Sequence, residues 1–306
     1  MNKRHLTGII ALGAAASLVL TGCASGDSGD NGDAGGAPAG DEKGTITMGF
    51  LPAWTDGLST AYLLQDQLEK LGYDLEMEDV VDAGPLYTAL SQGDIDMYPS
   101  AWSEVTHASY MEEYGDKIED LGTYYDGAVL TIAVPDYMED INSIEDLKGN
   151  ADLFDGKIIG IEPGAGLTKA TQESAMPAYG LDDYELVTSS TGGMLATLDT
   201  AVAAEEPVVV TLWRPFWAND AWPMKDLEDP KGAMGETEGL HFLGKMGFAD
   251  EFPEAAEYIE KIKLTDEQYG ALESLVTSDE YKDKSEEAVD EWIAEYGDQI
   301  DWLITE

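Results

Sequence analysis

The sequence has few of the residues that build disulfide frameworks, metal sites or basic surfaces. Its 306 residues include one cysteine, three histidines and 16 lysines plus arginines, against 62 aspartates plus glutamates. One cysteine excludes an internal disulfide network and a cysteine-rich zinc site, and three histidines argue against a histidine-built metal site. The net charge of −46 would repel phosphate, so nucleic acid is not an expected partner.

Long apolar runs are also missing after the N-terminus. Residues 1–22 carry Lys3 and Arg4 ahead of an apolar stretch over 6–20, which is shorter than the roughly 20 residues of a spanning helix. Leu20-Thr21-Gly22-Cys23 resembles the lipobox of bacterial lipoproteins. We therefore expect a signal peptide over 1–22, lipidation of Cys23, a flexible linker over 23–43 and anchoring on the outer face of the cytoplasmic membrane.

The remaining chain alternates predicted strands and helices, and 43% of all residues are hydrophobic, which is enough for a sizeable core. Such alternation indicates α/β layers with mainly parallel sheets. Two sets of elements are joined by two apolar strands, which predicts two lobes with a cleft between them. The expected lobes are 44–133 plus 239–306, and 134–238.

Motifs for catalysis and cofactor binding are not found. Residues 160–169 (GIEPGAGLTK) lack the third small residue of a dinucleotide fingerprint and the Gly-Lys-Ser/Thr of a P-loop. Acidic pairs are common, but 62 acidic residues produce such pairs by chance. We expect a protein without catalytic activity, metal or cofactor.

Three of the seven tryptophans follow predicted strand ends: Trp54, Trp102 and Trp213. Ligands of open α/β sheets bind outside the carboxyl ends of strands, so this placement predicts a ligand site. Indole faces suit a quaternary ammonium group, which has no N–H to donate and is held by shape, desolvation and attraction to π-systems. The other four lack this placement, and packing roles are expected for Trp217, Trp222, Trp292 and Trp302.

Two further features suit an anion. Residues 163–167 (PGAGL) enter a predicted helix, whose free N–H groups favour a carboxylate or phosphate. His107 lies in or near the first turn of the helix after Trp102. Without further support, an ordinary glycine-rich turn and a solvated or capping histidine are the preferred interpretations.

Five stretches together resemble the substrate-binding lipoproteins of glycine betaine/proline betaine ABC importers for osmoprotectants. They are residues 100–128 (SAWSEVTHASYMEEYGDKIEDLGTYYDGA), 134–149 (VPDYMEDINSIEDLKG), 160–171 (GIEPGAGLTKAT), 208–217 (VVVTLWRPFW) and 227–235 (LEDPKGAMG). The resemblance implies a two-lobed periplasmic-binding-protein fold of type II that closes on its ligand. It implies a trimethylammonium cage of Trp54, Trp102 and Trp213, with the carboxylate held by the amides of Gly166 and Leu167 and by His107. It also implies a monomer that delivers its ligand to an ABC permease driven by a separate ATPase.

Some residues depart from the family pattern and keep alternatives open. Relatives often have histidine where Phe216 stands and glycine where Leu212 stands. The Trp54-Thr55-Asp56 string is also similar to choline-binding relatives, in which an acid such as Asp56 could accept the choline hydroxyl. A choline-binding protein of the same fold is therefore the alternative. A secreted enzyme acting on a quaternary amine and a structural surface lipoprotein are the remaining hypotheses.

Overall fold

The computed structural model describes residues 43–305. The predicted signal peptide, Cys23 and nearly all of the predicted linker lie outside these residues. Nine strands occur in the described part of the chain: β1 (Thr45–Phe50), β2 (Asp74–Asp79), β3 (Met97–Ala101), β4 (Ile118–Pro135), β5 (Lys157–Ile159), β6 (Glu185–Val187), β7 (Val210–Arg214), β8 (Met224–Asp226) and β9 (Glu238–Lys245).

Helices follow most strands, as the alternation predicts. They are α1 (Thr55–Lys70), α2 (Ala83–Gln92), α3 (Ala108–Tyr114), α4 (Ile144–Leu147), α5 (Gly166–Lys169), α6 (Met176–Tyr179), α7 (Thr191–Ala203), α8 (Ala218–Ala221), α9 (Phe248–Glu251), α10 (Pro253–Ile259), α11 (Asp266–Thr277) and α12 (Ser285–Tyr296). A π-helical segment, Ala170–Ala175, joins α5 to α6. The predicted α/β class is confirmed.

The strand order is β2-β1-β3-β9-β4-β7-β5-β6, with β8 paired to β4. We call β1, β2, β3, β9 and the start of β4 the first strand set, and β5, β6, β7, β8 and the end of β4 the second strand set. Strand β4 belongs to both, because it pairs with β9 up to Ala128 and with β7 from Val129 onward.

Parallel and antiparallel pairs both occur. Strand β1 runs parallel to β2 and β3, and β5 runs parallel to β6 and β7. Every pair that includes β4 or β9 is antiparallel. The expected parallel pairs therefore join β1, β2 and β3 in the first set and β5, β6 and β7 in the second set. Strands β4 and β9 add the antiparallel pairs in both sets.

Helix α1 shows how the fold positions a predicted ligand residue. Sequence periodicity predicts a helix from Ser59, but α1 begins at Thr55 and places Trp54 at its N-cap. Asp56 thus falls in the first turn, where a negative side chain suits the helix dipole. The buried face of α1, including Leu64 and Leu68, packs into the core.

Candidate ligand-binding site

All seven predicted ligand residues line one cavity, where the space not occupied by protein atoms is about 320 Å³, including the part open to solvent. The first strand set and its helices contribute one wall, and the second set contributes the other. The full lining is Trp54, Asp56, Trp102, Thr106, His107, Leu130, Ile161, Ala165, Gly166, Leu167 and Trp213. Sequence reasoning did not single out Thr106, Leu130 or Ile161, and it included Ala165 only as part of the 163–167 loop.

The three tryptophans reach the cavity from strand ends, as expected. Trp54 follows β1, Trp102 follows β3 directly, and Trp213 lies near the end of β7. Each is buried, with exposed fractions of 7%, 5% and 4% respectively. Their lipophilic ring surfaces and shared cavity fit the predicted cage for an alkylated ammonium group.

Each indole has a neighbour that fixes its position. The indole Nε1–H of Trp54 donates to Glu162 Oε2 at 3.1 Å, and that of Trp102 donates to Asp56 Oδ2 at 3.0 Å. Trp213 stacks on Phe216, with ring centroids 3.9 Å apart. Phe216, a departure from the family pattern, therefore supports a tryptophan of the cavity.

Asp56 is almost fully buried, and its carboxylate is already engaged. Oδ2 accepts a hydrogen bond from Ser100 Oγ at 2.6 Å in addition to the one from Trp102. Burial raises the pKa of Asp56, and the two hydrogen bonds partly oppose that rise. The residue thus orients Trp102 while remaining part of the cavity lining.

His107 is neutral and has a defined tautomer. Burial lowers its pKa to about 3. The backbone N–H of Trp102, which can only donate, points at Nδ1 from 3.3 Å, and the Tyr87 hydroxyl lies 3.1 Å from the same nitrogen. Nδ1 therefore accepts, which assigns the ring proton to Nε2. Neutral His107 has one N–H to offer a ligand.

The glycine-rich loop supplies further donors. Ala165 is the N-cap of α5 in extended conformation, and its side chain makes no capping bond. Gly166 and Leu167 are the first helical residues, whose N–H groups have no partner within a helix. The cavity thus combines an aromatic region with the donor groups that suit a carboxylate.

The loop approaches the first strand set closely. A Cβ at Gly166 would lie 2.2 Å from the Thr106 carbonyl oxygen, and one at Gly164 would lie 2.1 Å from Asp82 Oδ1. The Tyr110 hydroxyl donates to the Gly164 carbonyl at 2.8 Å. Because the Thr106 carbonyl belongs to the backbone, glycine at position 166 allows both walls to meet around the cavity.

No helix among residues 43–305 has the length and apolar character needed to cross a bilayer. Within the same residues, no cluster of three or more His, Cys, Asp or Glu side chains is placed to hold a metal ion.

Two strand sets around a ligand-sized cavity, together with the similarity to solved binding proteins given below, define a two-lobed substrate-binding protein of the type II periplasmic class. Residues 44–295 match the family described as the substrate binding domain of ABC-type glycine betaine transport systems. The chain belongs to this family. The resemblance to the substrate-binding proteins of glycine betaine ABC importers is therefore confirmed, and membership in a family of transport binding domains agrees with the expectation of no catalytic activity.

Individual relatives agree with this assignment. The chain is 35% identical over 145 residues to the glycine betaine/carnitine transport binding protein GbuC of Listeria monocytogenes, which covers 47% of each protein. It thus spans about half the length of that curated relative. The closed lactococcal OpuAC structure in complex with glycine betaine is 30% identical, has a TM-score of 0.76, and is matched over 85% of this chain and 99% of its own.

A choline-binding protein of an ABC transporter, solved with choline, shares the fold. It is 24% identical, has a TM-score of 0.74, and is matched over 85% of this chain and 91% of its own. At this identity the likeness concerns architecture, and it does not distinguish betaine from choline as the ligand.

Proposed function

We propose that this protein captures glycine betaine, or a related betaine such as proline betaine or carnitine, and delivers it to an ABC permease driven by a cytoplasmic ATPase. The observation that carries the proposal is the cavity itself, because three indoles and three N–H donors converge on a volume suited to a small molecule. Such a cavity matches a ligand with a quaternary ammonium group and a carboxylate.

In the proposed complex, Trp54, Trp102 and Trp213 surround the trimethylammonium group. Each ring contributes about 0.5–2 kcal/mol, with desolvated rings at the upper end. The carboxylate accepts hydrogen bonds from the amides of Gly166 and Leu167 and from Nε2–H of His107. A neutral donor suffices because the ligand is a net-neutral zwitterion.

Closure couples the ligand to the lobes. We assign residues 44–133 plus 239–306 to one lobe and 134–238 to the other, with β4 and β9 as the connecting strands. Trp54, Trp102 and His107 then belong to one lobe, and Trp213 and the Gly166-Leu167 amides to the other. Since neither lobe alone completes the site, ligand binding favours the closed state.

The test is a calorimetric titration with glycine betaine and choline at near-neutral pH. Residues 40–306 form a compact unit with its own hydrophobic core, so this segment is suitable for the experiment. Micromolar binding of glycine betaine with weak binding of choline is expected. The reverse order would transfer the proposal to choline, and binding of neither would refute a quaternary ammonium ligand.

Choline remains the second candidate because Asp56 lines the cavity and could accept the choline hydroxyl. Its carboxylate already accepts hydrogen bonds from Ser100 and Trp102, which favours the betaine assignment. A choline-specific role requires that Asp56→Asn weaken choline more than glycine betaine.

We also propose that Cys23 is lipidated after removal of residues 1–22, which would hold a monomeric binding protein at the outer face of the cytoplasmic membrane. The support is the Leu20–Cys23 string. Cys23→Ser should release the protein from the membrane fraction of its host. Unchanged membrane association would refute anchoring through this residue.

A further inference from the structure

Glu162 connects the two walls of the site without lining the cavity. Its side chain is 8% exposed and accepts three hydrogen bonds. Thr191 supplies two of them, from its N–H to Oε1 at 2.7 Å and from Oγ1 to Oε2 at 2.9 Å. The third comes from Trp54 Nε1, 3.1 Å from Oε2.

Separation of the lobes would break the hydrogen bond from Trp54 to Glu162 but not the two from Thr191. Glu162 and Thr191 both belong to the second strand set and its helices, so their two bonds persist in either state. Trp54 belongs to the first set, so its bond to Glu162 exists only when the walls are together. When the lobes separate, Glu162 Oε2 and the Trp54 indole N–H bond with water instead of with each other. Closure restores the direct hydrogen bond between them.

The neighbouring residues make this position a contact of the closed state. Gly164, two residues later, accepts the hydrogen bond of Tyr110, and Gly166 lies against the Thr106 carbonyl. Both partners lie in the segment 102–114, which follows β3 of the first strand set. The segment from Glu162 to Gly166 therefore carries several contacts across the cleft, and Glu162 supplies the one made by a charged side chain.

Building on the proposed betaine function, we propose that Glu162 is a latch: it holds Trp54 in its cage orientation and slows ligand release by bonding that indole across the cleft. It is a positioning residue, because it does not line the cavity. Its effect on the ligand passes through the Trp54 N–H.

The first experiment measures association and dissociation rates of glycine betaine by stopped-flow fluorescence on residues 40–306. Glu162→Gln should raise the dissociation rate about tenfold and leave the association rate within about twofold, since the latch forms after capture. Glu185→Gln is the matched control, because Glu185 is an exposed residue of the same strand set. It should change neither rate.

A double-mutant cycle identifies the path of the effect. Trp54→Phe keeps an aromatic face but removes the indole N–H. In that background, Glu162→Gln should change dissociation by less than about twofold. An equal effect in both backgrounds, or an effect confined to association, would overturn the latch and leave Glu162 as a structural residue of the second set.

A ligand-free measurement separates failure of the latch from failure of the betaine proposal. Cysteines at Asp82 and Gly164 would lie across the cleft, where a Cβ on Gly164 is 2.7 Å from Asp82 Cγ. The rate of their disulfide formation reports the closed population even when it is small. Glu162→Gln should slow trapping severalfold without ligand, and unchanged trapping would overturn the latch whatever the ligand is.

Discussion

The buried state of His107 predicts a pH dependence of stability that can be measured without any ligand. Burial holds its pKa at about 3 in the native protein, against about 6.5 in an unfolded chain. Between these values the unfolded chain binds a proton at this residue and the native protein does not. Stability attributable to His107 is therefore complete above about pH 7 and falls as the pH decreases, by about 1.4 kcal/mol per unit.

Between pH 7.5 and 4.5 the stability attributable to His107 falls by about 2–3 kcal/mol. The assay is urea unfolding of residues 40–306 at several pH values, for the native sequence and for His107→Gln. Glutamine does not titrate, and the carboxylates and His241 contribute equally to both proteins. The native protein should lose about 2–3 kcal/mol more stability than the variant over this range. Parallel losses would refute the assignment of His107 as a buried neutral group.

Three substitutions test the site more directly by calorimetry with glycine betaine. Trp213→Ala should weaken binding at least tenfold, because it removes one desolvated wall of the cage. Trp213→Phe keeps an aromatic ring and should lose less affinity. Equal affinity of the native protein and both variants would exclude Trp213 from the cage. Gly166→Ala should reduce affinity about a hundredfold, since its Cβ would lie 2.2 Å from the Thr106 carbonyl oxygen, whereas Gly192→Ala, which meets nothing within 4 Å, should bind normally. Asp56→Asn should weaken glycine betaine through the loosened Trp102 ring, and loss of choline binding alone would instead favour the hydroxyl-acceptor role.

The sequence predicted the site residues where a local pattern, such as a strand followed by tryptophan, falls at a position that the sheet topology brings to the cavity. Apolar strands followed by Trp54, Trp102 and Trp213 predicted that these residues meet, because strand ends converge in α/β sheets. The Gly-Ala-Gly loop was recognisable as a helix entry with free amides. All seven predicted residues line the same cavity, and their roles as ligand contacts remain predictions.

Other features depend on contacts between distant segments. The apolar pattern predicts a strand only from Ala128, whereas β4 begins at Ile118. Its start was missed because its pairing with β9 shifts register three times between Asp120 and Ala128, which obscures the two-residue alternation of a strand. Glu162 lies within the 160–171 stretch that resembles the family, but its hydrogen bond to Trp54 joins residues 108 positions apart. Among 62 acidic residues, no local pattern identifies those that hold an indole.

The most direct test of the central claim is a crystal structure of residues 40–306 grown with glycine betaine. The account predicts the quaternary nitrogen within about 6 Å of the ring centroids of Trp54, Trp102 and Trp213. It also predicts the carboxylate within hydrogen-bonding distance of the Gly166 and Leu167 amides and of His107 Nε2. A ligand bound elsewhere, or with its carboxylate toward the tryptophans, would contradict it.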